Sequence, residues 1–167
     1  MRLLVGVLVA VTSFLTAVTS GADPSIAGGG GTAQDDPQFV HRMVFDVPLV
    51  DFSAFAASRT GPDGARGDTW FDWSTDTCSA PLVGNTGRSF DFTEPCRRHD
   101  FGYRNSQLLD HRYGTRAFWN GAVRLTIDQQ FLSDMRQHCR VRRLIDRPTC
   151  HAWASTFYRA VRWWGGP

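Results

Sequence analysis

Lysine is absent from this sequence: all 18 basic side chains are arginine. No segment shows the period-two alternation of a half-buried strand, which argues against a domain built on a sheet. Beyond residue 22 no apolar run approaches the ~20 residues a membrane-spanning helix needs, so the remainder is expected to be soluble. There is no internal repeat, which excludes a solenoid. Cysteines are few, four in all, and none shows the C-x2-C or H-x3-H spacing of a structural zinc site, although histidines stand beside three of them.

Charge is unevenly spread. Residues 1–96 hold 5 Arg against 11 acids, and residues 97–167 hold 13 Arg against 5 acids. The basic half could meet anionic lipid or nucleic acid, or pair internally with the acidic half. No nucleic-acid-binding motif accompanies it, so nucleic acid is not an expected partner.

At the amino end, Arg2, the apolar run Leu3 to Val18 and the small residues Ser20-Gly21-Ala22 have the three parts of a secretory signal peptide. Residues 1–22 are therefore expected to be removed and the protein secreted. Residues 23–36, with the tetraglycine Gly28 to Gly31, read as a flexible leader or pro-segment. Residues 37–167 are the right size for one domain with one core. An even cysteine count in an exported chain implies disulfides. Three pairings are open; Cys78–Cys96 and Cys139–Cys150 are preferred, since each closes a short loop between neighbouring elements.

Helical spacing fits Pro37 to Ser58, with Pro48 as a break or kink. Thr60 to Asp68 reads as a turn, and Ser79 to Asp91 as loop. Thr93 is the expected N-cap of a helix whose stripe is Cys96, His99, Tyr103 and Gln107, ending near Gly114. A second helix is expected over about Arg116–Val141 and a last one over about Thr149–Trp163. The fold class is thus all-α, a small disulfide-stabilised helical domain. Trp70, Phe71, Trp73, Trp163 and Trp164 are read mainly as core, with an apolar rim at a lipid interface as the alternative. His41, His111, His138 and His151 have no identifiable partner.

The chemistry concentrates in Cys96-Arg97-Arg98-His99-Asp100-Phe101-Gly102-Tyr103-Arg104-Asn105. His99 and Asp100 are helix neighbours whose side chains diverge by about 100°, so they suit different partners. A general-base histidine needs a carboxylate from another element to fix its tautomer. Asp128, in an otherwise apolar helical row, is well placed for this, because a carboxylate there is costly unless paired. Asp134 is the other candidate. Asp100 is free to join Asp76 and loop carbonyls near Thr77 around a hard cation. Tyr103, one turn from His99, is either a hydrogen-bond donor into the site or a core aromatic. Arg104 and Asn105 are expected to support the loop around Asp76 or the helix end.

These residues resemble the small secreted phospholipases A2 of the prokaryotic and fungal type. The resemblance covers Trp70 to Trp164 and rests on three segments in order: F-D-W-S-T-D-T-C (Phe71 to Cys78), the Cys96 to Asn105 run, and I-D-Q-Q-F-L-S-D-M (Ile127 to Met135). It implies two antiparallel central helices carrying His99 as general base and Asp128 as its partner. It also implies Ca2+ held by Asp76, Asp100 and the Thr77 carbonyl, the disulfides Cys78–Cys96 and Cys139–Cys150, and cleavage of a phospholipid ester at a membrane or micelle surface by a monomer. The segment between His99 and Asp128 looks longer than the family pattern, with Gln107 to Phe118 as an insertion. The animal-type glycine-rich calcium loop and tandem cysteine are missing. Two rivals remain: a binding module on the same fold without catalysis, and a cationic nucleic-acid binder.

Overall fold

A computed structural model describes residues 34–59, 70–78, 84–114 and 116–165. The expected signal peptide, nearly all of the leader and the Thr60 to Asp68 turn lie outside these residues. Among the described residues five α-helices follow one another: α1 (Asp35–His41), α2 (Leu49–Arg59), α3 (Thr93–Tyr113), α4 (Gly121–Arg140) and α5 (Arg147–Trp164). A short π-helical turn, Arg42–Asp46, links the first two. Among the described residues there is no strand, only an isolated bridge between Thr86 and Asp91. No described helix is long and apolar enough to cross a membrane. The domain is all-α and disulfide-stabilised, as the patterning implies.

The helix ends show where local chemistry was misjudged. Thr93 lies inside α3 rather than capping it. Asp91 does the work instead, its carboxylate accepting from the Thr93 backbone N–H at 3.0 Å and from the Thr93 hydroxyl at 2.7 Å. Asp and Thr are both capping residues, so the sequence could not choose between neighbours. At the other end Gly114 takes a left-handed φ of 66° and donates its N–H to the Asp110 carbonyl, the usual reason for glycine there. Helix α4 starts later than expected because Asn120 caps it, accepting from Ala122 N and Val123 N. The break at Pro48 is real: α2 begins at Leu49, and Pro48 supplies the carbonyl that accepts from Phe52 N.

The first helix begins inside the expected leader. Asp36 is fully buried, and its Oδ2 accepts from Trp70 Nε1 (2.7 Å), Arg112 (2.9 Å) and the Tyr113 hydroxyl (2.8 Å). Three charged or polar donors explain how a carboxylate tolerates that burial. This knot ties α1 to the far end of α3.

Two apolar clusters flank the central helices. Phe39, Met43, Val44 and Phe52 pack with Phe71, Trp73 and Phe101 on one side. Phe90, Phe92, Phe131, Met135 and Phe157 pack around the second disulfide on the other. Cysteines pair as 78–96 and 139–150, with Cα–Cα separations of 5.4 and 5.6 Å. Gly102 lets α3 and α4 approach closely: a Cβ there would lie 3.0 Å from Ile127 Cγ2 and 3.3 Å from Val44 Cγ2. Phe71 and Trp73 are core. Trp163 and Trp164 are not; they stand in solvent at the end of α5, because the helix stripe that packs inward is Cys150, Ala154, Phe157.

Candidate functional site

His99 leaves α3 toward α4, where Asp128 occupies the facing turn. His99 Nε2 lies 2.8 Å from Asp128 Oδ1, and Asp128 is fully buried. The imidazole is held between Tyr103 and Phe131, with ring centroids 4.2 and 4.7 Å away. Tyr103 also donates its hydroxyl to Asp128 Oδ1 at 2.5 Å, so it is a hydrogen-bonding member of the site. Burial beside that carboxylate pushes the Tyr103 phenol well above its ordinary value, and it stays a neutral donor.

Asp128 has two further partners that the sequence reading missed. Arg162, from the last turn of α5, donates to Oδ2 at 2.7 Å. Arg124, one turn back on α4, places Nε 3.8 Å from Oδ2 and donates to the Tyr103 hydroxyl. Burial alone would raise the Asp128 carboxyl, but the hydrogen bonds from His99, Tyr103 and Arg162 hold it below the usual carboxylate range. Arg124 carried a signal, since it stands four residues before Asp128 on a helix. Arg162 carried none.

Asp134, the alternative partner for His99, is engaged elsewhere. Its carboxylate takes Arg98 in a two-pronged pair, through Nε at 2.9 Å and Nη2, and both side chains are almost wholly buried. Arg98 also donates to the Val47 carbonyl. The pair fastens α3, α4 and the end of the π-helical turn.

On its other side His99 Nδ1 faces Asp100 Oδ1 at 4.0 Å. Asp100 receives the loop before Cys78: Oδ2 accepts from the Thr75 hydroxyl at 2.6 Å and from Asp76 N at 3.2 Å. The loop is braced further along α3. Buried Asn105 bonds Asp72 N and Asp72 O, both at 2.8 Å, and Arg104 meets Asp76 Oδ1 at 3.2 Å. Thr77 is turned into the left-handed region, φ 58°, which reorients the backbone at the expected carbonyl ligand.

Burial raises the Asp100 carboxyl to about 6; the Thr75 hydroxyl opposes this and the Asp76 carboxylate adds to it. Two carboxylates and turned loop backbone at one place form an all-oxygen donor set, which suits a hard divalent cation. Among the described residues no three His, Cys, Asp or Glu side chains converge. Backbone oxygens would have to complete the shell, and the residues present fit calcium on that condition.

A cavity of about 320 Å³ opens over these groups. Asp76, His99 and Asp100 form its polar end, while Phe157, Val161 and Trp164 from α5 line its apolar wall. A cleft of about 530 Å³ beside α1 and a groove of about 890 Å³ beside Arg98 and Asp134 contain neither His99 nor Asp100. Of the remaining histidines, His138 does have a partner: its Nε2 accepts from Asp91 N at 3.2 Å.

A sequence model of the family described as prokaryotic phospholipase A2 matches residues 40–165. The chain is similar to the secretory phospholipase A2 of Beauveria bassiana (strain ARSEF 2860), 31% identical over 125 residues, covering 75% of this chain and 56% of that protein. It is also similar to the secretory phospholipase A2 of Arthroderma benhamiae (strain ATCC MYA-4681 / CBS 112371), 31% identical over 98 residues, covering 59% of this chain and 55% of that protein. The chain thus spans about half the length of these relatives.

Proposed function

This chain belongs to the prokaryotic phospholipase A2 family, and on that premise we propose that it is a secreted, calcium-dependent hydrolase of the sn-2 ester of glycerophospholipids. The observation that carries the reading is the His99 Nε2–Asp128 Oδ1 contact of 2.8 Å, standing beside an apolar cavity with two carboxylates at its mouth.

Asp128 fixes the tautomer with the proton on Nε2, which leaves Nδ1 as the basic atom on the cavity side. Nδ1 takes a proton from water as the water oxygen bonds to the acyl carbon. Asp128, held ionised by Tyr103 and Arg162, stabilises the imidazolium that forms. The ester C–O bond then breaks, and the proton passes from Nδ1 to the leaving alkoxide. A free fatty acid and a lysophospholipid result. Asp76, Asp100 and the Thr77 carbonyl are the residues that would hold calcium, which would supply a fixed positive charge for the lipid phosphate and the developing oxyanion. The apolar wall from α5 suits an acyl chain.

The test is fatty-acid release from phosphatidylcholine vesicles by the oxidised protein, in calcium and in chelator, beside His99→Ala. Release that needs calcium and vanishes in the variant is expected. A folded protein with both disulfides that releases nothing in calcium overturns the reading and favours a binding module on the same fold.

A further inference from the structure

The last 32 residues, Arg136 to Pro167, hold seven arginines and one acid, Asp146. Helix α5 itself contains no acid. Five of its exposed residues, Thr149, Ala152, Thr156, Arg159 and Trp163, follow the three- and four-residue spacing of one helix face, and Pro148 and Trp164 are exposed at its two ends. That face ends in bare apolar side chains at both extremities. Before α5, Leu144 and Ile145 are 76% and 79% exposed; at its end, Trp163 and Trp164 are 82% and 79% exposed. Exposed arginines Arg140 and Arg143 precede the first pair, and Arg159 stands between the two ends.

The loop that carries Leu144 and Ile145 is pinned by the buried Cys139–Cys150 disulfide, so these side chains are displayed on a rigid support and have no core to enter. Large aliphatic and tryptophan side chains left in water at both ends of one face, with arginine as the only fully exposed charge between them and a single, partly buried acid, Asp146, are costly in a protein that meets water alone. They match a surface whose outer layer is negative and whose inner layer is hydrocarbon.

We infer that the outer face of α5, together with the Leu144–Ile145 loop, docks this protein flat on an anionic phospholipid bilayer. Docking of this kind rests on the lipid-hydrolase reading above, and adds to it the lipid charge and the orientation. Trp164 belongs both to the exposed end and to the wall of the cavity that holds His99. A bilayer under α5 therefore reaches the cavity's rim through Trp164, the exposed member of its apolar wall.

The experiment uses vesicles of ether-linked lipids, which have no ester to cleave, either pure phosphatidylcholine or with roughly a third phosphatidylglycerol. The intact protein is expected to partition at least tenfold more strongly onto the anionic vesicles. Arg143→Gln with Arg159→Gln should cut that partition by about 25-fold, at roughly fivefold per arginine. Leu144→Asp with Ile145→Asp should cut it by a similar factor. The same kinds of change on α2, Ala57→Asp and Arg59→Gln, should leave it unaltered. Brominated acyl chains should quench the protein's fluorescence, and Trp163→Phe with Trp164→Phe should alter that quenching. Equal partition onto neutral and anionic vesicles, or wild-type partition by folded α5-face variants, overturns the inference. Hydrolysis of monomeric short-chain phosphatidylcholine distinguishes the two failures. Hydrolysis without anionic-vesicle binding sinks the docking face alone; binding without hydrolysis sinks the hydrolase reading and leaves the face standing.

Discussion

Replacing Arg162 with Met tests whether the α5 end positions the His99–Asp128 pair for the proposed reaction. Arg162 gives Asp128 Oδ2 its closest hydrogen bond, at 2.7 Å; with it gone, the nearest cation to that oxygen is Arg124 Nε at 3.8 Å. A charge-assisted hydrogen bond contributes about 1.5–3 kcal/mol. The Arg162 side chain keeps 29% exposure, so solvent screening lowers the expected loss of stability to about 1–2 kcal/mol. For a domain of this size that lowers Tm by about 3–8 °C. The rate should suffer more. Asp128 would lean toward the remaining donors and carry the imidazole with it, and a misplacement of that order costs about 10- to 100-fold in kcat. KM should change little, since Arg162 does not line the apolar wall of the cavity. Arg162→Lys should restore part of kcat. Fatty-acid release with matched thermal unfolding reads both quantities. Unchanged kcat alongside the lowered Tm would show that Arg162 is only a clasp between α5 and α4 and refute the positioning role.

Other outcomes follow from the same geometry. Arg98→Met should destabilise by about 3–5 kcal/mol, because it strands a buried Asp134 charge, whereas Arg98→Met with Asp134→Leu should recover much of the loss; urea unfolding checks both. Saturating calcium should raise Tm, by about 2.7 kcal/mol of stabilisation at a hundredfold excess over Kd, and Asp100→Asn should abolish the rise; an equal rise in the variant would place the cation elsewhere. His138 titrates below its ordinary value because it is part-buried and faces Arg142. The folded state therefore binds fewer protons than the unfolded one. The His138 contribution is whole above about pH 6.5 and is lost as pH falls through the window below it. The fall in urea midpoint from pH 7.5 to 5.5 should shrink in His138→Gln; an unchanged fall assigns it to other groups.

What the sequence disclosed and what it hid divide along the range of the interactions. Cys96, His99 and Tyr103 share a helix face by spacing alone, and an aspartate in the apolar row of α4 announces that it has a partner. Nothing in one dimension, however, says which of Asp128 and Asp134 meets His99. The structure answers through Arg98, which consumes Asp134 in a buried pair and leaves Asp128 to the imidazole. Helix starts were misplaced by one to several residues because Asp91, Thr93 and Asn120 are all competent caps, and only the surrounding chain decides which is used. The largest gap is arginine. In a chain without lysine, an arginine that reaches across the fold to a buried carboxylate looks like one that rests in water. Arg162 and Arg159 are three residues apart on the same helix, yet one ends on Asp128 and the other stays exposed. On the docking proposal, that division would give α5 two duties, holding Asp128 from its inner side while its outer side presents charge to a lipid surface. Any change that shifts α5 should therefore move both rate and vesicle binding, while Arg162→Met should move the rate alone.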